Sequence, residues 1–339
     1  MKKALTFLLA AGCTLAVCTG AMAGEFDNIT LNWGLTPAPT SGDAEIATYL
    51  AEEVNKATDG NVTFEVFPGG ALGGEDTMLQ GLLSGTVDMA NVSPNVVATV
   101  APEMNALCLP FVYDNLQAAA NGILNDEYVA KINETLEPYG LHYLGVSYVV
   151  PRCITCNDEI HTPADCSGQV IRVMAGQIFT DIYAAWGLNS TILGWGECYT
   201  AVQQKTIDGI DGGNEPSMDM AFYEVCKYNI QTNHVNHAQM TLIGLDKWNE
   251  LTEDTRAAIT KVYSDNNDYI NEFCVNHFIA DSAEVVAEPY NMINIDLTDE
   301  ERQAWVDASQ PVYEKYEPII GEDFYSWFMD YTAACNEGV

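Results

Sequence analysis

The chain has 339 residues and carries 48 Asp and Glu against 13 Lys and Arg, a formal charge of −35. That field repels nucleic acid and anionic lipid, favours a soluble monomer, and makes any anion site depend on local cations instead of the surroundings. Residues 1–23 read as a secretory signal peptide: Lys2 and Lys3, an apolar stretch from Ala4 to Val17, then Ala21-Met-Ala23 as an A-x-A cleavage site. Lipidation is disfavoured, because Cys13 leaves too short an apolar region and bulky Val17 precedes Cys18 where a small residue belongs. Cleavage before Gly24 removes two lysines, taking the charge to −37, and leaves a chain long enough for two lobes with separate cores. Nothing later approaches the ~20 apolar residues of a transmembrane helix. An exported, soluble protein of the periplasm is expected.

Ile29 to Gly34 alternates like a strand, Gly42 to Thr58 places Ile46, Leu50 and Val54 at helical spacing, and Val62 to Phe67 reads as a second strand. A helix over Glu75 to Ser84 and a short strand over Val87 to Val92 continue the order, which predicts an α/β chain with parallel pairing. Further strands are expected at Leu141 to Val149 and Gln169 to Met174, then a helix from Gln177 to Trp186 that stops at Gly187. Beyond Thr252 the pattern turns to long helices, Glu253 to Ala280 and an aromatic-rich run from Glu301, of a length that braces two lobes.

Arg172, in Gly168-Gln-Val-Ile-Arg-Val-Met174, is a lone cation in a strand-like apolar run, with no acidic residue nearer than Asp165 and Asp181. A guanidinium so placed suits bidentate capture of a carboxylate or another oxyanion; a structural salt bridge to a distant carboxylate is the competing reading. Trp33, Tyr148 and Trp186 are possible ligand-facing aromatics, though core packing comes first for each.

An ordered set of segments then resembles one family: Ala71-Leu-Gly-Gly-Glu75, Leu82 to Met89, Leu109-Pro-Phe-Val-Tyr113, Pro151-Arg152, Thr162 to Asp165, Gly168 to Val173, Trp195-Gly-Glu197 and Asp208-Gly209. Together they resemble the extracytoplasmic solute receptors of tripartite ATP-independent periplasmic (TRAP) transporters, of the DctP type. The resemblance implies an α/β, two-lobed periplasmic binding protein fold with mixed sheets, interlobe strands and a long bracing helix. Residues 24–147 plus 238–270 would form lobe I, and 148–237 plus 271–339 lobe II. It implies a non-catalytic receptor that closes on a small organic acid, a carboxylate or a sulfonate, and passes it to membrane permease subunits, with no cofactor.

Within that resemblance Arg172 takes the place of the arginine that clamps the ligand carboxylate, and Arg152 that of a second arginine. Trp195 falls at the position of an enclosing aromatic, and Glu75 at a hydrogen-bonding acid across the cleft. Ser93 aligns where sialic acid receptors carry a second carboxylate. In Asp211-Gly-Gly-Asn214 the family asparagine falls at Gly212 or, after a short shift, at Asn214. The tryptophan typical of metal-assisted relatives is missing near Gly212, which argues against a metal. Each residue keeps a plainer reading: Trp195 as core, Glu75 at the positive end of its helix, Arg152 paired with a carboxylate such as Glu197. A ligand with a donor besides its acid group, such as a hydroxy acid or keto-hydrate acid, fits Glu75; an aromatic acid fits Trp195.

Of ten cysteines, all but Cys13 and Cys18 stay in the mature chain; Cys156 with Cys166, then Cys274 with Cys335, are the expected disulfides. Cys153-Ile-Thr-Cys156 matches CxxC, but it follows a strand and not a helix N-terminus, which disfavours an exported thiol oxidoreductase. His234-Val-Asn-His237 reads as solvated loop histidines before a metal pair. A periplasmic sensor subunit, or a receptor of ATP-driven importers, are the other readings.

Overall fold

The computed structural model describes residues 25–166 and 168–339, so the expected signal peptide and its cleavage site lie outside the described residues. Its strands in chain order are β1 (Ile29–Gly34), β2 (Val62–Phe67), β3 (Met89–Val92), β4 (Leu141–Pro151), β5 (Cys153–Cys156), β6 (Val170–Val173), β7 (Asn189–Ile192), β8 (Gly209–Gly212), β9 (Tyr228–Gln231), β10 (Asn236–Gly244) and β11 (Ile293–Asp296). They form two sheets, ordered β2-β1-β3-β10-β4 and β11-β9-β5-β8-β6-β7. Both are mixed. β1 runs parallel to β2 and β3, whereas β10 is antiparallel to β3 and β4; in the second sheet β6 is parallel to β7 and β8, and β5 antiparallel to β8 and β9.

The first βαβ unit shows why the local sequence folds this way. Ser41 caps the helix Gly42–Ala57 by accepting from the Ala44 amide; Asp43 and Glu45 stand in its first turn and Lys56 in its last, matching the helix dipole. Ile46, Leu50 and Val54, at helical spacing, are fully buried against the sheet. Helices thus cover the parallel strands, as such strands require.

Two strand-to-strand crossings between the sheets, at Arg152 and through residues 232–235, are bonded to each other: the Arg152 amide donates to the Val235 carbonyl (2.9 Å) and the His234 amide to the Arg152 carbonyl (3.3 Å). Strand β4 therefore runs unbroken past the expected boundary at 147/148, because its pairing with β10 continues to Pro151 opposite Asn236. The predicted helix Glu253–Ala280 is two, Glu253–Asp265 and Asn267–Glu284. Asn266 breaks it: its amide group donates to the Val262 carbonyl while its carbonyl oxygen accepts from the Tyr49 hydroxyl. The helix Asn267–Glu284 packs on β4, on Leu116–Ile123 and on the short helix Asn214–Asp219, spanning both halves.

The last helix, Glu322–Glu337, corrects the expected lobe assignment for its residues. It packs on Leu116–Ile123, beside the first sheet, where Tyr331 donates to the Gly122 carbonyl (2.8 Å) and Asn336 to the Val112 carbonyl (3.0 Å). Gly122 permits the approach, since a Cβ there would lie 2.8 Å from Cys335 Sγ. No disulfide joins the described cysteines, contrary to expectation. Each thiol has gone to nearby backbone instead: Cys156 donates to the Asp158 carbonyl and Cys166 to the Thr162 carbonyl, Cys274 accepts from the Val149 amide, and Cys335 faces Gly122.

Candidate functional site

Between the sheets lies a cavity of about 350 Å³ whose lining draws on both halves and on the crossing strands. Its floor follows from strand periodicity. Tyr148 and Val150 on β4 are two apart, as are His237 and Gln239 on β10, and the register sets Val150 against His237 and Tyr148 against Gln239, so all four share one face. Two contacts join its sides: Asn95 donates to the Ala175 carbonyl (2.6 Å), and the Gly42 amide donates to the Glu215 carboxylate (2.7 Å).

Arg172 projects from β6 into this cavity, 5% exposed. Its Nε donates to the Leu193 carbonyl (3.0 Å) and its guanidinium carbon lies 5.4 Å from the centre of the half-buried Trp195 ring, a cation–π arrangement that fixes the plane of the fork. Nη1 is buried and has no hydrogen-bond partner among the described residues. Burial pulls the Arg172 pKa down, but a guanidinium remains charged at any physiological pH. The result is a fixed, partly desolvated guanidinium on the cavity wall.

Arg152 also lines the cavity but is already engaged. Its Nε meets the Asp211 carboxylate at 2.5 Å and its Nη2 donates to the Asp211 carbonyl at 2.6 Å, so the expected alternative partner Glu197 is replaced by Asp211. Burial would raise the Asp211 carboxyl; Arg152 and then His234 prevail and hold it at about 2. The sequence signal for Asp211 is slight, a single carboxylate in the short strand Gly209-Ile-Asp-Gly212, and its pairing with Arg152 appears only in the fold.

Across the cavity, Glu75 opens its helix and turns back to β3, accepting from the Ser93 amide (2.8 Å), the Ser93 hydroxyl (2.9 Å) and the Thr36 hydroxyl (3.2 Å). Burial raises its pKa despite these bonds. Ser93 is thus largely spent on Glu75, with its hydroxyl also 3.2 Å from His237 Nε2. Asp43, deeper still, is pushed up to about 7 by burial although Ser147 and Asn91 bond to it.

Two predicted residues lie outside the lining. Trp33 is fully buried on β1, its indole donating to Asn91 (2.9 Å) and its ring edge-on to Phe64, because the inward face of β1 is core. Asn214 donates to Ser282 and accepts from Asn229 and Gln231, tying its helix to the bracing helix; Gly212 sits within β8. Neither reaches the cavity. Tyr148 does reach it, with its hydroxyl buried and unpartnered. Trp186 is core, bonded to Ser309.

The discounted motifs resolve physically. Cys153 and Cys156 are buried in the interior strand β5, and burial pushes both thiols up to about 12, the opposite of a redox pair. His234 and His237 are buried rather than solvated, and His237 is held neutral down to about 3 by burial and by Arg152. A cluster the sequence did not suggest, Glu215, His277 and Asp281, brings one ligand atom each within 4.8 Å of the others. His277 Nε2 stands 3.5 Å from both carboxylates, and the Glu215 bond raises its pKa.

Two mixed sheets joined by a pair of crossing strands, with the Arg172 guanidinium on the wall of the cavity between them, have the layout of a two-lobed solute-binding receptor. Residues 35–318 match bacterial extracellular solute-binding protein, family 7 (DctP), and the chain belongs to that family. The C4-dicarboxylate-binding periplasmic protein DctP of Vibrio cholerae is 26% identical over 284 residues, 82% of each chain. The C4-dicarboxylate-binding protein DctB of Bacillus subtilis is 24% identical over 301 residues, 88% of this chain and 85% of the relative. Among solved structures, the sugar acid binding protein DctPAm of Advenella mimigardefordensis, in complex with galactonate, superposes with a TM-score of 0.83 at 25% identity, covering 92% of this chain and all of that one. A TRAP periplasmic solute binding protein of Shewanella oneidensis with bound succinate shares the fold at a TM-score of 0.82 and 22% identity, covering 91% and 99%. No helix among the described residues is long and apolar enough to cross a membrane.

Proposed function

We propose that this protein is a periplasmic receptor that captures an organic acid anion between two lobes, one built on each sheet, and delivers it to the membrane permease of a TRAP transporter. One observation carries this reading: the buried Arg172 guanidinium, which no carboxylate engages among the described residues, lines a cavity drawn from both halves. A desolvated donor of that kind is costly unless an anion completes it. Relatives named for C4-dicarboxylates and a structure holding galactonate supply the class of ligand, an acid. Closure follows from geometry, because a ligand touching Arg172 and Trp195 on one side and the floor of β4 and β10 on the other favours the arrangement in which those walls meet.

A thermal-shift and calorimetric screen of the mature protein against mono- and dicarboxylates, sugar acids, aromatic acids and sulfonates tests the proposal. A true ligand at a hundredfold excess over its Kd stabilises the fold by about 2.7 kcal/mol. Arg172→Ala is expected to abolish that shift; retention of wild-type affinity for the best acid would overturn the site.

A further inference from the structure

His277 and Asp281 take no part in lining the cavity, yet with Glu215 they form the one tight His and carboxylate cluster of its kind among the described residues. They stand one turn apart on the bracing helix Asn267–Glu284, so they share a face, and Glu215 meets them from the helix Asn214–Asp219.

The surroundings hold all three in place. Asn214 donates to the Ser282 hydroxyl (2.8 Å), which ties together the chain positions next to Glu215 and Asp281, and the Gly42 amide fixes the Glu215 carboxylate from the first half (2.7 Å). Phe273 stacks on the His277 ring (centroids 5.1 Å, planes 21° apart) and Tyr148 meets it edge-on (5.8 Å, 85°), so the imidazole plane is set by packing. Side chains locked in this way by their neighbours are what a binding site requires.

Their own contacts leave the cluster incomplete. His277 Nε2 lies 3.5 Å from Glu215 Oε1 and 3.5 Å from Asp281 Oδ2, whereas a charge-assisted hydrogen bond closes to about 2.7–2.9 Å. One N–H cannot serve both oxygens in any case. Asp281 is 7% exposed, and Oδ2, the atom nearest His277, is buried with no hydrogen-bond partner among the described residues. A buried carboxylate oxygen left unmatched is costly unless a cation completes it. Burial raises the Asp281 pKa to about 7; His277 opposes that shift, and Glu215 and Glu284 add to it.

The spacing says which cation fits. Around a four-coordinate zinc with bonds of about 2.0–2.2 Å, ligand atoms stand about 3.4 Å apart, close to both distances from Nε2; around octahedral magnesium they stand about 3.0 Å apart. An imidazole nitrogen with two carboxylate oxygens also suits zinc, cobalt or nickel better than magnesium or calcium. The His277 side chain is 26% exposed, which leaves a path from solvent and room for water in the fourth position.

We propose that Glu215, His277 and Asp281 bind a divalent transition metal of the zinc class, one ligand atom from each, pinning the helix Asn214–Asp219 to the bracing helix. The missing tryptophan near Gly212 argues against a metal beside the acid; this cluster is built from other residues and stands apart from the Arg172 assignment.

Chelator-treated mature protein titrated calorimetrically with ZnCl2, and by absorption with CoCl2, tests the site. One equivalent of zinc is expected to bind with a Kd of about 10 μM or tighter, magnesium and calcium far more weakly, and cobalt to give the intense visible bands of a four-coordinate ion. His277→Ala and Asp281→Asn should each weaken zinc binding about tenfold or more, while Arg172→Ala and His161→Ala leave it unchanged. The cobalt spectrum of the unaltered protein keeps the test open should a variant fail to fold. Absence of one-to-one binding, a weak six-coordinate cobalt spectrum, or affinity indifferent to both His277→Ala and Asp281→Asn would overturn the site. None of those results bears on acid binding by Arg172.

Discussion

Arg152 and Arg172 are two buried guanidiniums lining one cavity, yet they do opposite things. Arg152 lies where the chain crosses between sheets, and Asp211 on β8 takes its Nε and Nη2. Arg172 is further along the second sheet, on β6, where the atoms within reach are a backbone carbonyl and an aromatic face, so no carboxylate claims it and its Nη1 is left without a partner among the described residues. In a chain this acidic, being basic is not what makes a residue an anion site. What matters is whether the fold has already supplied the carboxylate.

Breaking each arginine's partner should therefore give different kinds of failure. The largest effect is expected for Asp211→Ala, which strands Arg152 as a buried unpaired charge at the crossover and should cost about 3–5 kcal/mol of stability in urea unfolding. A loss below about 1 kcal/mol would show that the pair contributes little to the fold. The same pair sets an acid limit. With Asp211 held at about 2 against its ordinary 3.8, its contribution is present above pH 3.8 and lost as pH falls toward 2. His237, held neutral to about 3 against 6.5, adds a loss that begins as pH drops below 6.5. Asp43, raised to about 7 against 3.8, has the opposite sign and gains as pH falls between those values. In melting curves the decline is therefore expected below about pH 4, where the melting temperature should fall and Asp211→Asn should remove the Asp211 part.

At the open arginine the expectation reverses: Arg172→Lys should leave the unliganded melting temperature nearly unchanged and weaken acid binding by about 2–3 kcal/mol, because an ammonium cannot reproduce a fork bonded to a carboxylate. Equal losses of stability and affinity would erase the contrast between the two arginines. Trp195→Ala, which removes the face beneath the guanidinium, should weaken binding by about 1–2 kcal/mol in the same calorimetric assay. The smallest effect is expected at the edge of the cleft. Asn95→Ala removes the bond to the Ala175 carbonyl and should lower affinity by about 1 kcal/mol, chiefly as faster ligand release in stopped-flow fluorescence.

Much of this was legible from local pattern. The strand and helix order of the first 90 residues, the arginine in an apolar run and the ordered family segments depend on neighbours within a few residues, and periodicity records them. Trp33, for which core packing came first, and Asn214 stayed ambiguous in the sequence because a tryptophan or an asparagine near a strand end looks the same whether its strand turns that face to core or to cleft. Here β1 turns Trp33 into the core, and Asn214 is claimed by Ser282, Asn229 and Gln231. The cysteines misled for a related reason: an even count in an exported chain suggests pairs, and only packing shows each thiol facing nearby backbone.

The sequence by itself determined that this is an acidic α/β chain with an export signal pattern, the segments of a solute receptor and one arginine out of keeping with its surroundings, all properties of composition and short-range order. Tertiary structure alone decided which arginine stays free, that His237 and Gln239 form the floor with Tyr148, that the last helix returns to the first sheet, and that Glu215 and Asp219 face the same cavity as Arg172. Those are pairings between residues tens to hundreds of positions apart, set by sheet register and burial, and no local pattern encodes them.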